Sequence, residues 1–285
     1  MKTMRRMIWT SLVLAAVVFS TGVACAQEIT IALGSEPTIL DPQLREDGGE
    51  RAVNDNVYET LMARTPDGKL KPGLVASEPK LLDPKTWEVK LRSGIKFHNG
   101  EAFNADAVVY SVKRIIDKKF NSEQVSFFST IVDAKKVDDL TVQIITDGPD
   151  PILLSRLYWM KMVPPAYSKD AKFAEAPVGT GPYKFARWNR GQNLVLEANP
   201  GYWGEAPAIK KVTYRFVSDA GTRLAGLMAG EFDIITNLLP EFTKKVPQAI
   251  HILGLEHPIL ILNADAGVTK DARVRKALNL AVDKK

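Results

Sequence analysis

Apolar and polar residues alternate along several short stretches of this chain, and such alternation indicates half-buried β-strands. In residues 86–91, Trp87, Val89 and Leu91 are apolar, and the residues between them are charged. This stretch therefore predicts a strand with one face on a core and the other in water. Similar runs predict further strands at residues 29–33, 140–146, 211–217 and 258–263.

A longer period of three to four residues predicts helices between these strands. Asn104 suits the N-cap of a helix that runs through Asp117, and Asp106 lies in its first turn, where a carboxylate favours the helix dipole. The apolar stripe of this helix is Val108, Val112, Ile115 and Ile116. Another helix is predicted at residues 220–229, where Gly230 would end it.

The last stretch of the chain predicts a third helix, which Asp271 would cap. Its apolar residues repeat with helical spacing at Val274, Ala277, Leu278, Ala281 and Val282. Elsewhere, Pro66-Asp67-Gly68 predicts a tight turn, because proline presets φ and glycine accepts a positive φ. Strands mixed with helices predict a domain of the α/β or α+β class.

The N-terminus predicts export from the cell. Lys2, Arg5 and Arg6 precede an uncharged, mostly apolar run at residues 7–19, and small residues follow up to Ala26. This pattern is typical of a cleaved secretory signal at residues 1–26, with an uncleaved anchor as the alternative. The apolar run is short for a membrane-spanning helix.

Cys25 is the single cysteine of the chain and lies inside this predicted signal. Lipid attachment at Cys25 is an alternative, but Gly22 stands where a lipoprotein site normally has a leucine-like residue. Cleavage after Ala26 is the preferred interpretation. The mature chain would then have no cysteine, and hence no disulfide, no thiolate nucleophile and no cysteine metal site.

The charge balance follows the same boundary. The whole chain has 38 basic and 33 acidic residues, a net charge of +5. Removing the three basic residues of the signal leaves 35 against 33, a net charge of +2. Basic residues form no dense block, so the sequence predicts no nucleic-acid partner.

The histidines give little support to a metal site. His98, His251 and His257 match no common ligand spacing, and Pro258 directly follows the last of them. His98 lies in a predicted turn at residues 97–100, where a polar loop role is expected. We predict no metal and no cofactor.

Motifs for catalysis are also missing from the sequence. The G-x-G at residues 179–181 lacks the third glycine of a dinucleotide-binding motif, and Pro182 removes a backbone N–H, so a structural turn is predicted. The adjacent acids at residues 138–139 would point to opposite sides of an extended strand. No nucleophile, base and orienting group come together by motif, and we predict that the protein is not an enzyme.

Several segments together resemble the extracytoplasmic solute-binding protein family 5, which serves peptide and nickel ABC transporters. The longest, TWEVKLRSGIKFHNGEAFNADAVVYSVKR at residues 86–114, is similar to the family signature along its length. The family usually has Ala-Glu-Asp-Val where this chain has Asn-Ala-Asp-Ala at residues 104–107. The other similar segments follow in the family's order at residues 36–42, 57–61, 72–77, 179–185, 199–207, 229–235 and 274–285.

The resemblance implies an α/β fold of the periplasmic binding protein kind, type II, in its large three-subdomain variant. Residues 27–55 and 175–270 would form the first lobe, residues 56–174 an inserted subdomain, and residues 271–285 the start of the second lobe. Family members are roughly twice as long. The expectation is therefore a chain truncated at its C-terminus, with the first lobe and the inserted subdomain but without most of the second lobe.

The resemblance also implies a function, which is binding of di- or oligopeptides in a cleft between lobes and delivery to an ABC permease in the inner membrane. The expected location is the periplasm and the expected state is a monomer. An extended peptide would add to a cleft wall through main-chain hydrogen bonds. The family's wall segment after its L-D-P motif corresponds here to Arg45, Glu46, Asp47, Gly48 and Gly49.

Other interpretations stay open at this point. Gly48 and Gly49 could let a ligand backbone approach closely, but they are equally well interpreted as part of a flexible surface loop. Within the family the ligand can instead be a metal chelate, haem, an opine, glutathione or an oligosaccharide. Outside transport, an interaction or sensor protein on the same scaffold would carry no small ligand, and a secreted enzyme would show turnover.

Overall fold

The computed structural model describes residues 27–45, 47–250 and 260–283 of the chain. The chain divides into two compact units, with the boundary between Val246 and Pro247. The predicted signal at residues 1–26, together with Glu46, His251 and His257, lies outside the described residues.

The described elements of the first unit are strands with four α-helices between groups of them. In chain order they are β1 (Glu28–Leu33), α1 (Gly48–Val57), β2 (Met62–Arg64), β3 (Leu70–Pro72), β4 (Lys80–Asp83), β5 (Thr86–Lys90), α2 (Ala105–Ile116), β6 (Ile131–Asp138), β7 (Thr141–Thr146), α3 (Leu153–Trp159), β8 (Tyr183–Asn189), β9 (Asn193–Ala198), β10 (Lys211–Phe216), α4 (Ala220–Met228) and β11 (Ile234–Ile235). The predicted strands at residues 29–33, 86–91, 140–146 and 211–217 are confirmed as β1, β5, β7 and β10.

A five-stranded mixed sheet has the order β11-β1-β10-β9-β8. β1 pairs in parallel with β10 on one side and with β11 on the other, so the start of the chain lies between segments distant in sequence. β8, β9 and β10 are antiparallel neighbours. The buried face of α1, with Val53 and Val57, shares a core with Leu194, Leu196 and Tyr214 of this sheet.

A four-stranded antiparallel sheet has the order β4-β5-β7-β6 and is formed between α1 and β8 in sequence. Trp87 of β5 lies opposite Ile144 of β7, and Glu88 lies opposite Gln143, so the apolar and polar faces continue from strand to strand. The core on the apolar side contains Val112 of α2. The two sheets thus have separate cores within one unit. The assignment of residues 27–55, 56–174 and 175–270 to lobes stays a prediction.

The helix predictions agree closely with the structure. The Asn104 side chain accepts a hydrogen bond from Ala107 N, as an N-cap does, and Asp117 ends α2. Val108, Val112 and Ile115 of the predicted stripe are buried. The helix predicted at residues 220–229 is α4, and Gly230 follows it with φ of +76°. The turn between β2 and β3 has Gly68 at φ of +81°, as the Pro-Asp-Gly sequence predicts.

A buried ion pair fastens the segment before α1 to α2. The Asp41 carboxylate accepts from Arg114 Nη1 at 3.1 Å, and both side chains are almost fully buried. Arg114 Nη1 also donates to Gln43 Oε1 at 3.0 Å, and its guanidinium lies 3.9 Å from the centre of the Phe120 ring. The L-D-P segment of the sequence therefore holds the two cores together.

The second unit contains α5 (Ala272–Ala281), with Asp271 as its N-cap. The helix prediction is confirmed, but none of its residues is buried, and Leu278 and Val282 of the predicted stripe are exposed. Residues 260–263 do not form the strand predicted at 258–263, since no described strand pairs with them. No helix in the described ranges has the length and hydropathy needed to cross a membrane.

Candidate functional site

Helix α1 begins inside the segment that the sequence singles out for ligand binding. Asp47 is the N-cap, and its carboxylate accepts from Gly49 N at 3.0 Å. Hydrogen bonding with Glu50, and then with the Gly49 N–H and Arg45, holds the pKa of Asp47 below its ordinary value, against the opposing effect of burial. Asp47 thus stabilises the start of the helix.

The predicted site residues have different surroundings. Arg45 pairs with Asp47 at 3.2 Å and with Glu123 at 3.8 Å. A Cβ on Gly49 would lie 3.1 Å from Ser35 Oγ, whereas a Cβ on Gly48 would meet no heavy atom within 4 Å. Among the four described members of the segment, Gly48 lines a concavity. Glu46 lies outside the described residues, and a ligand role for all five stays a prediction.

Two concavities lie along the outward face of α1. The first has a volume of about 400 Å³ and the second a volume of about 260 Å³, and Asp55 lines both. We call this combined surface the α1 groove. Its lining residues are Gly48, Arg51, Ala52, Asp55, Asn56, Tyr58, Glu59, Thr60, Ala63, Arg64, Gly73, Tyr158 and Lys161.

Charges of both signs line the α1 groove. Lys161 Nζ lies 2.6 Å from Asp55 Oδ1; the lysine side chain is 6% exposed and the aspartate side chain 50% exposed. One carboxylate oxygen of Asp55 is therefore directed to a buried ammonium group, while half of the side chain faces solvent. An ion pair whose ammonium group is buried, next to an open concavity, presents a fixed charge pattern to a ligand.

Aromatic rings support the basic side chains of the α1 groove. The Arg51 guanidinium lies 4.4 Å from the centre of the Trp159 ring, and that of Arg64 lies 4.9 Å from the centre of the Tyr158 ring. The two rings pack edge to face with their centres 5.1 Å apart. These stacks orient both guanidinium groups.

A half-buried carboxylate, Glu59, lines the α1 groove near the end of α1. Glu59 accepts three hydrogen bonds, from Thr180 Oγ1 at 2.8 Å, Tyr202 Oη at 2.9 Å and Trp203 Nε1 at 2.8 Å. Burial raises the pKa of Glu59, and these donors and Arg92 act in the opposite direction. Glu59 therefore connects the end of α1 to two segments far along the chain.

The glycines at residues 179–181 pack directly under α1. A Cβ on Gly179 would lie 2.0 Å from Val57 O, and one on Gly181 would lie 2.7 Å from Asn56 O. The G-x-G is thus structural, as predicted, because glycine alone lets the two backbones approach this closely.

His98 ties the same glycines to the predicted turn at residues 97–100, which is confirmed by a hydrogen bond from Gly100 N to Phe97 O. Gly179 N donates to His98 Nδ1 at 3.3 Å, so Nε2 carries the proton and donates to Gly181 O at 3.0 Å. Burial lowers the pKa of His98 to about 4, with a smaller contribution from Lys184 and an opposing one from the Gly181 carbonyl. His98 has a structural role beyond that of a polar loop residue.

Sequence reasoning missed most of the α1 groove. Helix α1 itself was not predicted, and Arg51, Asp55, Arg64 and Lys161 were not singled out. The available signal was the i, i+4 spacing of Arg51 and Asp55 opposite the apolar pair Val53 and Val57.

The arrangement of side chains suits binding rather than conversion. In the ranges that the structure describes, no group of three or more His, Cys, Asp or Glu side chains is placed to hold a metal ion. Paired charges and aromatic faces around an open concavity are typical of a site for a small polar ligand.

The chain belongs to the bacterial extracellular solute-binding proteins, family 5. The family model for the middle region of these proteins matches residues 69–285. Proteins of this family bind substrates for transport rather than convert them, and they deliver small ligands to ABC permeases. The predicted family and the predicted α/β periplasmic-binding-protein fold are therefore confirmed.

Individual relatives differ in what they bind. The chain is 33% identical over 296 residues to the glutathione-binding protein GsiB of Pectobacterium atrosepticum, covering 100% of this chain and 57% of that protein. NikZ from Campylobacter jejuni, solved with Ni(L-His), superposes with a TM-score of 0.79 and 26% identity, covering 91% of this chain and 54% of NikZ.

The oligopeptide-binding protein AppA from Bacillus subtilis, solved with a nonapeptide, superposes with a TM-score of 0.77 and 26% identity. That superposition covers 90% of this chain and 54% of AppA. The chain spans about half the length of the curated relatives it matches.

Proposed function

We propose that the protein binds short peptides in the periplasm and delivers them to the permease of an ABC importer, with the α1 groove as one wall of the binding site. The observation that carries this proposal is the charge pattern of the groove, where Asp55 and the two stacked arginines lie along one open surface. A peptide has an amino group, a carboxylate and amide groups, and each finds a partner of opposite character on such a surface.

The predicted segment 45–49 contributes to this proposal through Gly48. The space beside Gly48 lets a peptide backbone approach the start of α1. Arg45, Asp47 and Gly49 act indirectly by holding the helix start, and Glu46, which lies outside the described residues, stays a predicted member of the wall. Structural similarity to AppA in complex with a nonapeptide supports the choice of ligand class. The apolar run at residues 7–19 supports export.

Native mass spectrometry of the protein released from the envelope of its source cells tests the ligand class. We expect a non-covalent adduct that fragments into amino-acid residues. A nickel complex, an opine or a sugar as the adduct would contradict the peptide proposal while leaving solute binding intact. A protein without any adduct that also fails to bind added trialanine would favour an interaction role.

A pair of glycine variants then tests whether the α1 groove is the binding wall. Gly48→Phe would fill the groove, whereas Gly148→Phe adds the same side chain at another open glycine outside it. We expect Gly48→Phe to abolish trialanine binding measured by isothermal titration calorimetry and Gly148→Phe to leave it unchanged. Equal affinities of the two variants would place the site elsewhere.

A further inference from the structure

Two arginines of the α1 groove are held in similar ways by neighbouring rings. Arg51, Trp159, Tyr158 and Arg64 form a row in which the distances from guanidinium carbon to ring centre and from ring centre to ring centre are between 4.4 and 5.1 Å. Trp159 and Tyr158 are consecutive in α3, so one short helix orients both guanidinium groups.

These arginines have donors without acceptors. Arg51 Nε and Arg64 Nε are buried and have no hydrogen-bond partner among the residues that the structure describes. Since Nε is enclosed in each case, the terminal nitrogens are the donors that can face the groove. Arg64 uses one of them, Nη1, on Gly68 O at 2.8 Å.

The neighbouring acids are engaged elsewhere. Asp55, one turn along α1 from Arg51, pairs with Lys161 at 2.6 Å. Glu59 accepts from Thr180, Tyr202 and Trp203. The α1 groove therefore contains the cations Arg51, Arg64 and Lys161 against these two carboxylates, an excess of one positive charge.

We infer that Arg51 recognises a carboxylate of the ligand, so that the solute of the α1 groove is a carboxylate-bearing one. A guanidinium presents a planar fork of N–H donors that matches a carboxylate, and the stack on Trp159 fixes the plane of that fork. The inference rests on the proposed function, because it assigns a ligand group to the same groove.

The inference is tested by isothermal titration calorimetry, which measures how tightly the protein expressed from its gene binds pairs of matched probe ligands. The first probes are trialanine and trialanine amide, which differ in the terminal carboxylate. We expect the wild-type protein to bind the acid more tightly than the amide. Arg51→Gln should weaken binding of the acid at least about tenfold and binding of the amide less than about twofold, as expected for loss of a charge-assisted hydrogen bond.

Two further variants separate geometry and charge. Arg51→Lys keeps the charge but loses the fork, and we expect an affinity between those of the wild type and Arg51→Gln. Arg190→Gln is the matched control, because Arg190 also stacks on a ring, Trp188 at 3.4 Å, but pairs with Glu175 and does not line the groove. We expect Arg190→Gln to bind trialanine like the wild type.

A second probe pair, glutarate and glutaramide, distinguishes the two ways of failing. If trialanine and trialanine amide bind equally tightly and Arg51→Gln has no effect, the carboxylate inference is overturned while the peptide proposal stands. Glutarate bound in an Arg51-dependent manner without peptide binding would support carboxylate recognition and overturn the peptide proposal. If neither trialanine nor glutarate binds, both the carboxylate inference and the peptide proposal are wrong.

Discussion

The two faces of α1 differ in how tightly they are packed against the rest of the protein. The inward face contains Val53 and Val57, both fully buried, and lies so close to Gly179 that no side chain fits between the backbones. The outward face presents Arg51 and Asp55 to an open groove. One helix thus separates a tightly packed interior from an adaptable surface, and changes on its two faces should separate stability from binding.

The largest effect is expected where the inward face meets Gly179. In Gly179→Ala the new Cβ would lie 2.0 Å from Val57 O, and backbone must move to relieve the contact. We expect a loss of more than about 3 kcal/mol in the free energy of unfolding, measured by urea denaturation.

Gly148→Ala is the control for this change, because its Cβ would meet no heavy atom within 4 Å. Its unfolding free energy should stay within about 1 kcal/mol of the wild-type value. Similar unfolding midpoints for the two variants would show that the approach of residues 179 and 57 is not tight.

Lowering the pH should reduce the stability of the folded protein through protonation of His98, which packs in the same interior. Its pKa is about 4 in the folded protein and 6.5 ordinarily, so between these values the unfolded chain binds more protons. Stability from this group is fully present above pH 6.5, falls as the pH falls, and is lost below pH 4. The loss over the whole window is at most about 3 kcal/mol.

Urea denaturation of the wild type and His98→Gln at several pH values between 7 and 4 measures this loss. The variant should be less stable at neutral pH, because it loses ring hydrogen bonds, and the difference should shrink as the pH falls. Parallel pH profiles of the two proteins would contradict the lowered pKa of His98.

The smallest effects on stability are expected from single changes on α1. Val53→Ala removes two methyl groups from the core and should lower the unfolding free energy by about 2 kcal/mol. Arg51→Gln, on the outward face of the same helix, should lower the unfolding free energy by less than about 1 kcal/mol. Thermal and urea unfolding measure both.

Binding should rank these two variants in the opposite order. Arg51→Gln is expected to weaken trialanine binding strongly, while Val53→Ala should bind almost as the wild type does at a temperature where it is folded. A large loss of binding in Val53→Ala with intact folding would mean that the two faces are not independent.

Local patterns in the sequence predicted α2 and β5 well. Asn104 caps α2 and the apolar stripe repeats every three to four residues, so a window of a dozen residues holds all of the information. Helix α1 was missed because it begins with Gly48 and Gly49, which are poor helix formers, and continues with β-branched valines and asparagines. β8 was missed because a bulge between Phe185 and Arg187 shifts its register and interrupts the alternation.

The exposure of α5 also lay beyond local reasoning. Its apolar stripe with helical spacing predicted the helix correctly, because helix formation depends on residues within one or two turns of each other. The stripe did not predict burial, because burial depends on a surface distant in sequence.

By itself, the sequence determined the family, the α/β class and the elements whose signals lie within a few residues, because caps, stripes and alternation act over one or two turns. The tertiary structure alone decided which residues form the α1 groove. Arg51 and Asp55 meet Trp159 and Lys161 across more than a hundred residues of chain, and only the long-range packing of this later segment against α1 sets those distances. The partners of a charge, and hence what it can still bind, follow from that long-range packing and from no local pattern.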